Sequence, residues 1–360
     1  MTKVLIVSVG KLSGGVESYT LILGKLLSEN DIEVHYAVRA GAWLDQQLPS
    51  INKITVNLGK NMVNDMKRLR DYVDANGINI VHCNSNNGLF VSQMIKETSK
   101  CKKIGVIHGD VIVDQRHNGL IKSYIYEKIE TWLIKKKCTK CIAVSESMKN
   151  ILVARGVRES KIEVVYNGII PKEYDTLPDY YSGILKVCTV GNLLPVKNQI
   201  ILLKALYLLR EKYPDIKVIC DIYGEGTERK NLESYIAEKG LTNVMLKGFD
   251  NDVRNKLNDY QIYIHTSNYE SFGISVVEAM NAGCCVIATD VGGIKEIVKE
   301  KCGFTVNKEN FEAIVEIIVE CFNNREKMKN VALRGRNRFK EEFTCNHMVN
   351  NILNIYREMK

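Results

Sequence analysis

Short apolar runs alternate with longer stretches of helical apolar spacing, and this alternation starts twice along the chain. In the first half, residues 3–9, 33–38, 54–58, 80–83, 103–107 and 140–144 read as strands, and residues 18–27, 65–76, 88–99, 120–136 and 147–155 as helices. From residue 185 the pattern begins again. Strands are predicted at 185–190, 217–223, 244–246, 262–265 and 285–289, with helices at 199–212, 228–239 and 275–281. Continuous apolar runs are what strands buried on both faces of a parallel sheet require, and helices between them supply the crossovers. Two doubly wound α/β units in succession are therefore expected, and 360 residues suffice for two domains at ~100–200 residues each. Residues 171–183, with two prolines, acidic residues and a glycine, read as the linker.

Composition narrows the class. A hydrophobic share of 45% with 26% charged residues is that of a globular protein, and no apolar run reaches the ~18 residues of a membrane-spanning helix. The opening MTKVLIVSVG runs straight into a strand pattern without a cleavage-site signature, which places the chain in the cytoplasm as an expectation. Eleven scattered cysteines fit reduced thiols. Cys138 and Cys141 form a lone C-x-x-C, and no second pair at zinc-ligand spacing accompanies it. The net charge of +8 leaves an anionic partner open, although no nucleic-acid-binding module is present.

The chemistry concentrates after the predicted strand 262–265. A polar turn leads through Tyr269, Glu270, Phe272 and Gly273 into a helix beginning near Ile274 and Ser275, with Glu278 about one turn in. A helix start presents free N–H groups and positive potential to an anion, and Gly273 leaves the approach open. Carboxylates accept hydrogen bonds from sugar hydroxyls. Doubly wound sheets bind ligands beyond the carboxyl ends of their strands, where both glutamates lie.

The stretch ESFGISVVEAMNAGCCVIATDVGGIKEIV closely resembles the signature of the large retaining glycosyltransferase family four, or group 1, whose fold is called GT-B. The resemblance implies two Rossmann-like domains with a cleft between them: an acceptor domain (1–172), a nucleotide-sugar donor domain (173–340) and a C-terminal helix (341–360) packing back on the first. It assigns Glu270 to the hydroxyls of the transferred sugar and Glu278 to the nucleotide ribose. Residues 190–198 (VGNLLPVKN) are similar to the family's donor-diphosphate loop, where Lys197 matches the lysine and Asn192 replaces the more usual arginine. Residues 223–228 (YGEGTE) resemble a Gly-x-Gly turn beside the nucleotide, bringing in Gly224 and Glu225. Gly14 and Gly15 resemble a loop that approaches the donor phosphate, and His108 best matches a functional histidine of the first domain, with His82 the competing choice. The donor set is completed by Phe272, Gly273, Ile274 and Ser275. Asp250 and Asp252 form a D-x-D that reads as solvent-facing, and no obligatory metal or other cofactor is expected.

Together these features imply retaining transfer of a hexosyl group from a nucleotide diphosphate sugar, a UDP-sugar by resemblance, to a hydroxyl of an acceptor glycan or lipid-linked saccharide in cell-surface polysaccharide or glycolipid synthesis. Domain closure over the donor would exclude water. The alternatives are another GT-B nucleotide-sugar enzyme such as an epimerase, and a non-catalytic GT-B partner protein. Residues 120–140 mix aromatic residues with lysines. They read either as a peripheral contact with an anionic membrane or as an amphipathic helix packed on its own sheet with a solvated lysine face.

Overall fold

The computed structural model describes residues 2–11, 14–58, 61–98, 100–114, 119–299 and 301–359. Ser99, the expected end of one helix, and Lys360 lie outside them. The chain forms two compact units: residues 1–170 with 345–360, and residues 171–344.

In the first unit seven parallel strands make one sheet: β1 (Lys3–Ser8), β2 (Glu33–Arg39), β3 (Lys53–Val56), β4 (Ile80–Asn84), β5 (Lys102–Ile107), β6 (Lys140–Ala143) and β7 (Ile162–Val164). Their order is β3-β2-β1-β4-β5-β6-β7, so the winding reverses between β1 and β4, where Val4 pairs with Ile80. Val4, Leu5, Ile6 and Val7 are completely buried, as a central strand covered on both faces demands.

The second unit holds six parallel strands: β8 (Leu185–Val190), β9 (Val218–Tyr223), β10 (Val244–Gly248), β11 (Ile262–His265), β12 (Cys285–Thr289) and β13 (Phe304–Val306). The order β10-β9-β8-β11-β12-β13 puts its reversal between β8 and β11, with Val187 opposite Ile262. Two of the edge strands, β7 and β13, have three residues each and lack the apolar run of central strands such as β1.

Three local expectations change. The helix expected over 88–99 covers only Asn86–Val91, followed by a single tight turn at Ser92–Met94. The buried Lys103 explains the stop, because its Nζ donates to the carbonyls of Ser92 (2.7 Å) and Ile95 (3.0 Å) and satisfies the chain end there. Residues 171–183 are not a free linker. Tyr180 is buried in the core of the second unit and donates to the Gly283 carbonyl at 2.6 Å, and Gln261 Nε2 donates to the Asp179 carbonyl at 2.7 Å. The second unit also extends to Thr344.

The last helix, Cys345–Glu358, belongs to the first unit. It buries Met348, Val349, Ile352, Leu353 and Tyr356 on one face against the helix Gly15–Ser28, at ~1.5–3 kcal/mol for each fully buried apolar side chain. Tyr356 Oη bonds His82 Nδ1 at 2.8 Å, so the competing histidine is fully buried and tied to the chain terminus. No helix among the described residues is long and apolar enough to cross a membrane.

Candidate active site

The second unit gathers its chemistry at the β8/β11 reversal. The loop after β8 carries Lys197 and the loop after β11 carries Glu270. The two loops are stitched together: Asn268 N–H donates to the Val196 carbonyl (2.8 Å), Thr266 Oγ1 to the Lys197 carbonyl (3.0 Å), and Asn198 Nδ2 to Asn268 Oδ1 (3.1 Å). This brings Lys197 Nζ within 2.5 Å of Glu270 Oε2, with His265 Nε2 3.4 Å from the same oxygen. Burial alone would raise the Glu270 carboxyl. His265 and Lys197 outweigh it and hold the group at about 2, so Glu270 is an anion at neutral pH.

Backbone geometry fixes this loop. Gly292 has φ +48°, and a Cβ there would lie 2.0 Å from the Glu270 carbonyl oxygen. A Cβ on Gly293 would lie 2.4 Å from that of Ser271. Gly293 N–H in turn donates to the Glu270 carbonyl at 2.9 Å. The Gly-Gly pair therefore lets the Glu270 loop settle onto the segment after β12. Gly292→Ala is expected to cost about 1–3 kcal/mol of stability by chemical denaturation and to weaken nucleotide binding, because both φ and the backbone contact must change.

Gly273, with φ +111°, caps the helix Ile274–Ala282 without a side chain, and a Cβ there would meet Ile294 Cδ1 at 2.5 Å. The N–H groups of the first turn, at Ile274 and Ser275, thus have no side-chain cap beside the Glu270 carboxylate. Ser275 Oγ bonds Tyr263 Oη at 2.8 Å. Glu278, one turn in, is raised by burial against the opposing pull of Arg254, whose Nε lies 3.9 Å from its carboxylate.

Other expected donor residues take different positions. Phe272 is 3% exposed and stacks edge-on against Phe343, so its ring supports the loop from below and cannot line an open surface. Glu225 pairs with Arg229 at 2.6 Å. Gly224 and Gly226 let the loop after β9 lie against the loop after β8, since Cβ atoms there would stand 2.0 Å and 2.2 Å from the Gly191 and Leu193 carbonyl oxygens. Asn192 is exposed. Asp252 is exposed, and Asp250 pairs with Lys256 at 2.6 Å. Groups of three or more His, Cys, Asp or Glu fit to hold a metal are absent among the described residues. Cys138 and Cys141 are buried free thiols.

Sequence reasoning missed His265 and Arg254. A signal for His265 existed, because it ends a strand just as His108 does. Arg254 carried none, since its pairing with Glu278 spans 24 residues of chain.

In the first unit, Gly14 precedes and Gly15 begins the helix Gly15–Ser28, again with no side-chain cap. The half-buried His108 follows β5 and lines a cavity of about 660 Å³ with Arg39, Ser85, Phe90, Tyr126 and Ile129 among its walls. His82 is not part of that lining. His108 Nε2 meets Asn84 Oδ1 at 2.5 Å. The amide orientation is fixed because Asn84 Nδ2 donates to the Val16 carbonyl (3.0 Å) and to Thr20 Oγ1. Asn84 Oδ1 is thus an acceptor, the proton sits on His108 Nε2, and Nδ1 keeps its lone pair.

Burial lowers His108 from 6.5 to about 4. It lowers His82 to about 3, aided by the neighbouring His108. The unfolded chain binds these protons near pH 6.5 while the folded one does not, so stability is present above 6.5 and falls as pH drops toward 4. Thermal melts are expected to show this decline, and His108→Gln is expected to shrink it.

The family model "Glycosyltransferase Family 4" matches residues 13–173, and "Glycosyl transferases group 1" matches residues 181–338. The chain belongs to this glycosyltransferase family. An uncharacterized glycosyltransferase of Methanocaldococcus jannaschii is 27% identical over 305 residues, 83% of this chain and 80% of the relative. The poly(ribitol-phosphate) α-N-acetylglucosaminyltransferase of Staphylococcus aureus is 23% identical over 274 residues, 75% of this chain and 53% of the relative. The crystal structure of Anabaena HepE in complex with UDP and glucose superposes with a TM-score of 0.81 at 20% identity, covering 99% of this chain and 100% of that one. The glycosyltransferase thus has the GT-B architecture, and both halves of its chain fall within matched family regions.

Proposed function

We propose that this glycosyltransferase moves a hexosyl residue from a UDP-sugar to an acceptor hydroxyl, with retention at the anomeric carbon, in the assembly of a cell-surface polysaccharide or glycolipid. The observation that carries the reading is the Lys197–Glu270 pair, at 2.5 Å, beside the uncapped start of Ile274–Ala282 at the β8/β11 reversal. HepE, whose fold this chain shares, was crystallised with UDP and glucose, and the staphylococcal relative acts on a poly(ribitol phosphate), which supports donor class and acceptor class respectively.

The bond from the sugar to the diphosphate breaks, and negative charge grows on the leaving group. Lys197 and the N–H groups at Ile274 and Ser275 face that charge. Preorganised donors of this kind contribute ~3–4 kcal/mol each. Glu270, already ionised, accepts from hydroxyls of the transferred sugar, and Glu278 accepts from the ribose. His108, neutral with Nδ1 open, accepts from a sugar hydroxyl. The positive charge the diphosphate needs comes from side chain and backbone, so the reading requires no resident metal.

The test is a panel of labelled UDP-hexoses with candidate acceptors, reading the anomeric configuration of the product by NMR. Transfer with retention supports the proposal. Release of an altered free sugar without acceptor points to an epimerase, and inversion or no turnover with any donor overturns it.

A further inference from the structure

The helix Leu120–Lys137 is amphipathic in the wrong sense for a helix lying on its own sheet. Its buried side carries Ser123, Glu127, Glu130 and Thr131 along with Leu133 and Ile134. Arg155 draws the carboxylates inward: its guanidinium reaches Glu130 at 3.1 Å, Glu127 at 3.6 Å and Asp110 at 2.5 Å. The side turned to solvent is the apolar one. Ile121 is 79% exposed, Ile125 53% and Trp132 48%. At the helical period these three fall within an arc of about 40° and form one outward stripe. Tyr124 and Ile129 widen it.

Charge frames the stripe. On the same wheel Lys128 and Lys135 flank it on one side, and Lys136 and Lys122 on the other, all four exposed. Lys137 lies over the Trp132 ring at 5.6 Å. The only acidic residues of the helix, Glu127 and Glu130, are buried, so its outward face carries cations alone.

We propose that this face docks on an anionic lipid bilayer, with Ile121, Ile125 and Trp132 entering the interfacial region and the flanking lysines reaching lipid phosphates. Apolar insertion and lysine attraction act together in such binding, and each lysine near an anionic surface contributes at an additive scale. A second copy of the chain fits poorly, because a two-fold contact would set these lysines against their own counterparts. Nucleic acid would answer the lysines but leave the apolar stripe in water.

The helix also walls the His108 cavity through Tyr126, Ile129 and Leu133. An acceptor held there would leave the protein beside the lipid, which makes the acceptor lipid-borne. This last step rests on the functional reading above, whereas the docking does not.

The experiment is co-sedimentation with phosphatidylcholine vesicles, with and without phosphatidylglycerol. A parallel readout is the emission of Trp132 in a Trp43→Phe background, since the chain has two tryptophans. Binding is expected to be more than about tenfold stronger on the anionic vesicles and to fall with added salt, with a blue shift of Trp132. The triple change Ile121→Ser, Ile125→Ser, Trp132→Ser is expected to abolish binding, and Lys122→Gln, Lys128→Gln, Lys136→Gln to remove the preference for anionic lipid. Both sets are exposed, and an unchanged melting temperature verifies folding. Wild type left in the supernatant, equal binding to neutral vesicles, an unaffected serine variant, or a dimer in light scattering that the serine variant dissolves would each overturn the proposal. Lys197→Ala separates the two readings, because it should lose turnover while keeping vesicle binding.

Discussion

Lys197→Ala is expected to lower kcat by about two to three orders of magnitude, the usual cost of losing one preorganised donor to a developing oxyanion. The change removes the amino group nearest to Glu270, 2.5 Å away, and leaves His265 as the remaining group that offsets burial of that carboxylate. The Glu270 carboxyl should then rise from about 2 toward the ordinary range. Lys197→Arg keeps the charge but not the compact ammonium, so partial recovery is expected. A steady-state comparison of the three proteins at saturating donor distinguishes transition-state loss from weakened binding. A fall in kcat with little change in KM is the expected pattern.

Arg155→Met is expected to destabilise the first unit by about 3–5 kcal/mol, the usual cost of removing one partner from a buried ion pair. Arg155 is 8% exposed and faces Asp110, Glu127 and Glu130, of which Glu127 and Glu130 are almost wholly buried. Removing the guanidinium leaves these carboxylates in a poorly solvated site with their common partner gone. Adding Glu127→Gln and Glu130→Gln to Arg155→Met should recover part of the loss, because neutral amides remove the uncompensated charge. Chemical denaturation of the single and multiple variants measures the coupling. Equal stability of Arg155→Met and wild type would show that the cluster contributes nothing.

The same cluster shows where sequence patterning stops being informative. Buried strands were legible because β1 and β12 carry continuous apolar runs of strand length between turn signals, which suit a parallel sheet covered on both faces. Residues 120–137 offered no such rule. Their apolar residues would ordinarily be assigned to the core, yet one arginine 25 residues beyond Glu130 turns the carboxylates inward and the apolar stripe outward. Lys103 acts similarly at a distance, ending a helix whose sequence would continue. Tyr180 converts an apparent linker into core because its ring and hydroxyl both find partners in the second unit. Among the proposed donor residues, the placement of Glu270, Lys197 and Gly273 at loop ends and a helix start was readable from local pattern and resemblance, since strand-turn-helix order dictates where they emerge. His265 and Arg254 act through contacts that only the folded arrangement creates. Phe272 shows the converse: adjacent in sequence to the proposed site positions, its ring packs onto Phe343.

The most direct measurement of the central claim is nucleotide release from labelled UDP-hexoses in the presence of acceptor, run in parallel for wild type, Glu270→Ala and Lys197→Ala. Melting curves recorded with and without UDP show whether each variant still folds and binds, since a ligand of the native state alone raises apparent stability. The expected result is sugar-dependent release by wild type and a loss of at least about a hundredfold in each folded variant. Unchanged turnover in both variants would contradict the assignment of the β8/β11 reversal as the donor site.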